Sequence, residues 1–419
     1  MNMTDYNEIF SRVREASRHL AVMTDEQRSN ALVILARLVE ENTSTLLEAN
    51  TLDLKRMDRN NPLYDRLQLT PGRLESIADD LRHVARLDCP AGEEIERRTL
   101  PNGILLRKIR VPFGVIGVVY EARPNVTFDV AALCIKSGNA CILKGGHDAD
   151  ESNRAAIALI HRALHEAALP VDAVALLPSS HEATAALLNA VGMVDVCIPR
   201  GGRRLIDFVR DTARVPVIET GAGVVHMYFD SSAREDIARN VVDNAKTRRV
   251  SVCNALDSLL IHSSLLPVIA TWVRPLAEKR VELHADSRAL TTLRSGGYPE
   301  ELLVEAADED KDREWMNMIM GVYTVDNVDE AITHIAAHGS GHSESIVADD
   351  EEAVRKFTSM VDAACVYVNL PTSFTDGGQF GLGAEIGIST QKLGPRGPMG
   401  LREITTYRYL LEGNGQTRP

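Results

Sequence analysis

The chain has 419 residues, 44% hydrophobic and 25% charged, with a formal net charge of −13 from 59 acidic and 46 basic side chains. That length allows roughly two to four domains with sizeable cores. The acidic balance argues against a general nucleic-acid binder, which needs a basic face, and leaves room for a local basic pocket that takes phosphate.

In chain order, the first 90 residues read mostly as helix, since "EQRSNALVILARLVEENTSTLLEANTLDL" repeats apolar residues at three- and four-residue spacing. "LPNGILLRKIRVPFGVIGVVYEARPN" then predicts two strand segments, with a turn at Asn102-Gly103 and a break at Pro112-Phe113-Gly114. From there strands and helices alternate: "ACILKGG", "AVALLP", "VDVCIPRGG" and "VPVIETGAG" as strands, with amphipathic helices between them. Short continuous apolar strands alternating with helices predict a parallel sheet covered on both faces. A second alternating set follows residue 253. It begins with "LDSLLIH", a helix over "SSLLPVIATWVRPLAEK", and "RVELHAD", and runs on to "CVYVNLP". The Gly-rich tail ends in a β-like "ITTYRYLL", which needs a partner from its own chain or from another subunit.

The six cysteines are Cys89, Cys134, Cys141, Cys197, Cys253 and Cys365. None forms a C-x-x-C pair, and their scatter does not resemble a disulfide framework, so a reducing cytosol is the expected compartment. The charged N-terminus has no apolar signal core, and no apolar run approaches the roughly 18 residues of a membrane span. The histidines show no ligand spacing, so metal catalysis has no support.

Ligands of open α/β folds bind where the strands end. No G-x-G-x-x-G or P-loop pattern stands there. Instead, three glycine-bearing loops follow predicted strands: Leu143–Gly146, Pro199–Gly202 and Glu219–Gly223. Glycines such as Gly201 and Gly202 let a backbone approach a ligand closely, and Lys144 and Arg200 bring positive charge for phosphates. Any one loop could be an ordinary connection; three at one sheet edge favour a dinucleotide or phosphate. Cys253, preceded by Lys246, Arg248 and Arg249, is either a small core residue or a nucleophile whose thiolate those cations stabilise. Asn125, after the strand "GVIGVVYE", is either a turn residue or an amide donor to a developing oxyanion.

The strings "RVPFGVIGVVYEARPNVTFDVAALCIKSGNACILKGG", "IPRGG", "NAKTRRVSVCNALDSLLIH", "GSGHSESIVA" and "FTDGGQFGLGAEIGISTQKLGPRGPMG" resemble the gamma-glutamyl phosphate reductase family, the glutamate-5-semialdehyde dehydrogenases of the aldehyde dehydrogenase superfamily. The resemblance covers nearly the whole chain and is weakest in the first 90 residues. It implies an aldehyde dehydrogenase-like fold of two α/β domains with parallel-rich sheets and a β oligomerisation arm. The expected boundaries are 1–230 for cofactor binding (with an arm segment near 98–115), 231–368 for catalysis, and 369–419 for a return segment and the C-terminal arm. It implies NADPH-dependent reduction of L-glutamyl 5-phosphate to L-glutamate 5-semialdehyde and phosphate, the second step of proline biosynthesis from glutamate. Cys253 corresponds to the family's nucleophile and would carry a thioester; Asn125 corresponds to the oxyanion asparagine. Lys144 corresponds to the lysine at the adenosine ribose or its 2′-phosphate, Pro199, Arg200, Gly201 and Gly202 to the loop beside the pyrophosphate, and Glu314 to the glutamate on the nicotinamide ribose. A cytoplasmic homo-oligomer is implied, with functional coupling to a separate glutamate 5-kinase.

Three stretches depart from the family pattern. Val250 and Ser251 precede the cysteine, "ETGAG" replaces an "EHGDG" type, and Ser373 stands where the family usually has arginine. Loss of that guanidinium bears on how the substrate's carboxylate or phosphate is held. Two rivals follow. One is a hydrolytic NAD(P)-dependent aldehyde dehydrogenase with Glu219 as base; the other is a catalytically dead fold kept for binding.

Overall fold

A computed structural model describes residues 3–59, 61, 64–221 and 223–418. The chain divides into two units, Met1–Thr220 with Gly381–Gly387 and Pro398–Pro419, and Gly221–Phe380 with Ile388–Gly397. The division falls at Thr220–Gly221, so the strand His226–Phe229 counts with the second unit.

In the first unit, Val115–Tyr120 is buried at every position, which leaves no face for solvent and requires layers on both sides. It is central in a four-stranded parallel sheet, in the spatial order Val174–Leu176, Ala140–Lys144, Val115–Tyr120, Val196–Arg200. The chain moves outward on one side of Val115–Tyr120 and then returns to its other side. A topological switch point therefore lies between the ends of Val115–Tyr120 and Val196–Arg200, where open α/β sheets bind ligands. The helices Pro124–Ser137, Asp150–Glu166, His181–Leu188 and Arg203–Thr212 connect the strands or follow them. N-terminal to the sheet are helices whose starts are written in the sequence. Thr24 and Gln27 close a capping box on Asp25–Glu41, and Thr70 caps Pro71–Arg86.

The terminal "ITTYRYLL" finds its partner within this unit. Thr405–Glu412 pairs antiparallel with Leu105–Pro112, from Thr405 opposite Pro112 to Glu412 opposite Leu105. Glu94–Thr99 completes the three-stranded sheet on the other side of Leu105–Pro112, with Asn102-Gly103 in the turn between them. Most of Thr405–Glu412 is exposed, including Tyr407, Tyr409 and Leu411.

The second unit holds a seven-stranded sheet whose neighbouring strands all pair in parallel. Its order is Leu303–Glu305, Glu282–Ala285, Ile319–Val325, Ser258–His262, His226–Phe229, Ser343–Val347, Cys365–Val368. His226–Phe229, absent from the sequence-based expectation, sits near its middle. Two other expectations change. The single helix expected over 263–279 is three pieces, Ser263–Val268, Ile269–Trp272 and Arg274–Glu278, because Pro267 and Pro275 lack the amide hydrogen a continuous helix needs. The strand expected over "VPVIETGAG" shrinks, among the described residues, to isolated bridges at Val217, which pairs with Cys197, and at Thr220. Pro216 can offer a carbonyl to Cys197 N but no donor in return. Among the described residues, no helix is long and apolar enough to cross a membrane.

Candidate active site

At the switch point of the first unit, Val115–Tyr120 ends in Glu121-Ala122-Arg123, with Ala122 at φ 26°, and the chain enters Pro124–Ser137 with proline in its first turn. Asn125 thus stands in the first turn of that helix, half-buried. Its Nδ2 donates to Asp129 Oδ2, one turn later, at 2.9 Å.

Lys144 closes the neighbouring strand and is 9% exposed. Burial lowers its amine from the ordinary lysine value, and the charge of Glu121 offsets part of that. Across the switch point, Thr220 Oγ1 donates to the Pro199 carbonyl at 2.5 Å, and Arg200 is the last residue of its strand. Gly202 precedes Arg203–Thr212 with no side-chain cap, and its N–H donates to Glu121 Oε2 at 3.0 Å. A Cβ on Gly201 would lie 2.5 Å from that same carboxylate oxygen and 2.7 Å from Leu205, so a side chain there would have to push aside the ends of the Glu121 and Leu205 side chains.

A nicotinamide dinucleotide is a long, doubly charged anion at its pyrophosphate, and this edge suits it. It has an uncapped helix start, a glycine cradle that a Cβ would fill, a nearly buried lysine, and a carboxylate able to accept from hydroxyls. Lys144, Pro199, Arg200, Gly201 and Gly202 are together at the edge of this sheet, and Asn125 follows the next strand end. Glu121 is their neighbour, and nothing in its local sequence marks it. Glu219, the base of the hydrolytic rival, lies 3.8 Å from Arg210.

In the second unit, Cys253 lies in the turn between Glu235–Thr247 and Ser258–His262, half-buried. Its backbone is clamped from several sides. Gly223 packs directly on it: a Cβ there would fall 1.7 Å from the Cys253 carbonyl oxygen. The Gly223 N–H donates to Glu314 Oε1 at 3.3 Å, which joins Cys253 and Glu314 through one glycine. On the other side Asn254 Nδ2 donates to the Thr375 carbonyl at 2.9 Å, and Thr372 Oγ1 donates to the Asn254 carbonyl at 2.8 Å. Ser373 is part of this clamp. Its hydroxyl donates to Asn244 Oδ1 at 2.6 Å, so the position that departs from the family pattern is turned to a neutral structural contact.

The basic residues before the cysteine are differently placed from one another. Arg248 and Arg249 are exposed, whereas Lys246 is fully buried and its Nζ donates to the Leu256 carbonyl at 2.9 Å. Lys246 shares this interior with Asp257. Burial pulls the Lys246 ammonium down and pushes the Asp257 carboxyl up, and each partner's charge works against the other's shift. Asp257 also accepts from Trp315 N at 3.0 Å and from Val225 N at 3.4 Å. The pair therefore braces three segments: the end of the Cys253 turn, the residues after Gly223 and the residue after Glu314. Lys246 has this structural task, which its position in the sequence did not reveal.

A family model described as the aldehyde dehydrogenase family matches residues 1–293. The chain is 54% identical over 407 residues to a gamma-glutamyl phosphate reductase of Chlorobium phaeovibrioides, covering 97% of this chain and 96% of the relative. The crystal structure of gamma-glutamyl phosphate reductase from Thermotoga maritima superposes with a TM-score of 0.93 at 38% identity, over 99% of this chain and 100% of that one. An acetylating aldehyde dehydrogenase from Geobacillus thermoglucosidasius, at 16% identity and a TM-score of 0.71, covers 100% of this chain and 98% of its own, and shares the fold.

Proposed function

The chain belongs to the aldehyde dehydrogenase family and, within it, to the gamma-glutamyl phosphate reductases, and from that premise we propose that it reduces L-glutamyl 5-phosphate to L-glutamate 5-semialdehyde with release of phosphate, in proline biosynthesis. The observation that carries the reading is the build of the Cys253 turn: a half-buried thiol on a backbone clamped by Gly223 and Asn254. Such a fixed nucleophile suits covalent catalysis, which splits one difficult step into two easier ones.

The Cys253 sulfur attacks the acyl carbonyl carbon. As the carbon–sulfur bond forms and the bond to the phosphate oxygen breaks, phosphate leaves with the electron pair and a thioester remains. Asn125 donates an N–H to the oxygen that carries negative charge in between, and the Cys253 backbone N–H is the second donor of the family pattern; one such donor is worth about 10²–10³ in rate. NADP(H) is the proposed cofactor, held by Lys144, Pro199, Arg200, Gly201 and Gly202, with Glu314 on the nicotinamide ribose; when bound it supplies the hydride that takes the acyl group to the aldehyde level. Collapse of the resulting thiohemiacetal returns the electron pair to Cys253. No water is activated, so Glu219 has no part in the reaction.

Residues 94–112 and 405–412 form the arm through which a homo-oligomer assembles, and a cytoplasmic setting and coupling to a separate glutamate 5-kinase complete the proposal. The test is the reverse reaction. Oxidation of glutamate semialdehyde by NADP⁺ should require phosphate or arsenate; turnover without either would favour the hydrolytic reading.

A further inference from the structure

Asn125 is tied to one particular partner. Its Nδ2 donates to Asp129 Oδ2 at 2.9 Å, across one turn of Pro124–Ser137. An amide can rotate by half a turn and exchange its oxygen for its nitrogen with little change in shape. An ionised carboxylate accepts hydrogen bonds only, so it admits the NH₂ end of the amide and rejects the oxygen end. The NH₂ end has two N–H groups, and Asp129 takes one.

We propose that Asp129 is the positioning residue for Asn125: its carboxylate selects the amide rotamer that leaves the second N–H for the substrate's developing oxyanion. This rests on the role given above to Asn125. Asp129 itself does not touch the substrate.

The surroundings give the device a pH dependence. Asp129 is faced by Asn125 and Arg123 from its own helix start, by Asp80 from Pro71–Arg86, and by Arg200 from the end of its strand. Burial pushes its carboxyl up to about 7; the Asn125 hydrogen bond, Arg200 and Arg123 oppose that rise, and Asp80 adds to it. A protonated carboxyl both donates and accepts, so it tolerates either amide orientation. Selection of the rotamer is then complete above neutrality and fades as pH falls through about 7.

The experiment measures kcat/KM against pH for phosphate-dependent oxidation of glutamate semialdehyde in the full enzyme, for wild type, Asp129→Asn, Asn125→Ala and the double variant. Asp129→Asn should lower kcat/KM on the order of tenfold above neutrality and remove the ionisation near 7, because a neutral amide no longer discriminates. In the Asn125→Ala background the same change should have no further effect, which a merely structural residue would not reproduce. Wild-type rate and profile in Asp129→Asn, or losses that multiply in the double variant, would overturn the positioning role while leaving that of Asn125 standing. Wild-type rate in Asn125→Ala would overturn both. Asp129→Ser is the substitute should the asparagine variant not fold.

Discussion

Gly223→Ala perturbs the Cys253 turn with the least chemistry. The added methyl would lie 1.7 Å from the Cys253 carbonyl oxygen, 2.7 Å from its carbonyl carbon and 3.1 Å from its Cα, all of them backbone atoms without a rotamer to escape into. Contacts below 3.0 Å are essentially never seen at a Cβ, so the peptide after Cys253 must retreat by more than about 1 Å. A misplacement of about 1 Å at a reacting group costs on the order of 100-fold in rate, and overpacking costs about 1–3 kcal/mol in stability. The two effects separate in experiment. Phosphate-dependent turnover should fall about 100-fold, while a thermal melt shows a folded protein with a modestly lower midpoint. The Gly223 N–H bond to Glu314 gives a second readout, since the same shift should weaken NADP⁺ binding measured by fluorescence quenching. A Gly223→Ala enzyme that folds and turns over at the wild-type rate would refute the claim that this glycine sets the position of the thiol.

Three further outcomes follow from the structure. Asp257→Asn removes the charge that opposes the lowering of the fully buried Lys246 ammonium and weakens the acceptor of the Trp315 and Val225 N–H groups, and urea unfolding should show a loss of about 1–3 kcal/mol; an unchanged midpoint would mean that Lys246 is neutral or otherwise paired. Burial, with His226, His338 and Lys311, lowers His334 to about 3, so the unfolded chain binds a proton there that the folded chain does not, between its ordinary 6.5 and about 3. Stability should therefore decline as pH falls below about 6.5, by at most about 1.4 kcal/mol per pH unit from this group. His334→Gln should flatten the decline measured by urea midpoints, and an unchanged slope would count against the burial argument. Tyr409→Asp with Leu411→Asp, on the exposed strand Thr405–Glu412, should lower the mass seen by sedimentation; an unchanged mass would remove this strand from the assembly.

The parallel sheets were legible because their strands are short continuous apolar runs, and Val115–Tyr120 is buried at all positions as such a run demands. That Leu143–Gly146 and Pro199–Gly202 follow strand ends was legible for the same reason, since each comes directly after such an apolar run. What failed to show lay in side-chain direction and in proline chemistry. Lys246, Arg248 and Arg249 read as one basic cluster beside a thiol, but a sequence does not say which way a side chain points, and Lys246 points into the core. Apolar spacing predicts one helix over 263–279, and Pro267 and Pro275 override that signal. Asp129 had a usable signal, four residues after Asn125 on a helix, where two side chains meet. Glu121 had none, because it acts on a segment distant in sequence. Gly223 stands out as part of a glycine-bearing loop, but the partner it packs on, the Cys253 backbone, is distant in sequence and has no local signal.

The central claim is that the acyl group passes through Cys253. The most direct measurement mixes the enzyme with glutamate semialdehyde and NADP⁺ and withholds phosphate, so that acylation proceeds and release does not. The account predicts a burst of NADPH equal to the enzyme present, a hydroxylamine-labile glutamyl adduct on the Cys253 peptide by mass spectrometry, and loss of that adduct when phosphate is added. Cys253→Ala should give neither burst nor adduct. A burst that persists in that variant, or an adduct on another residue of a turning-over enzyme, would contradict it.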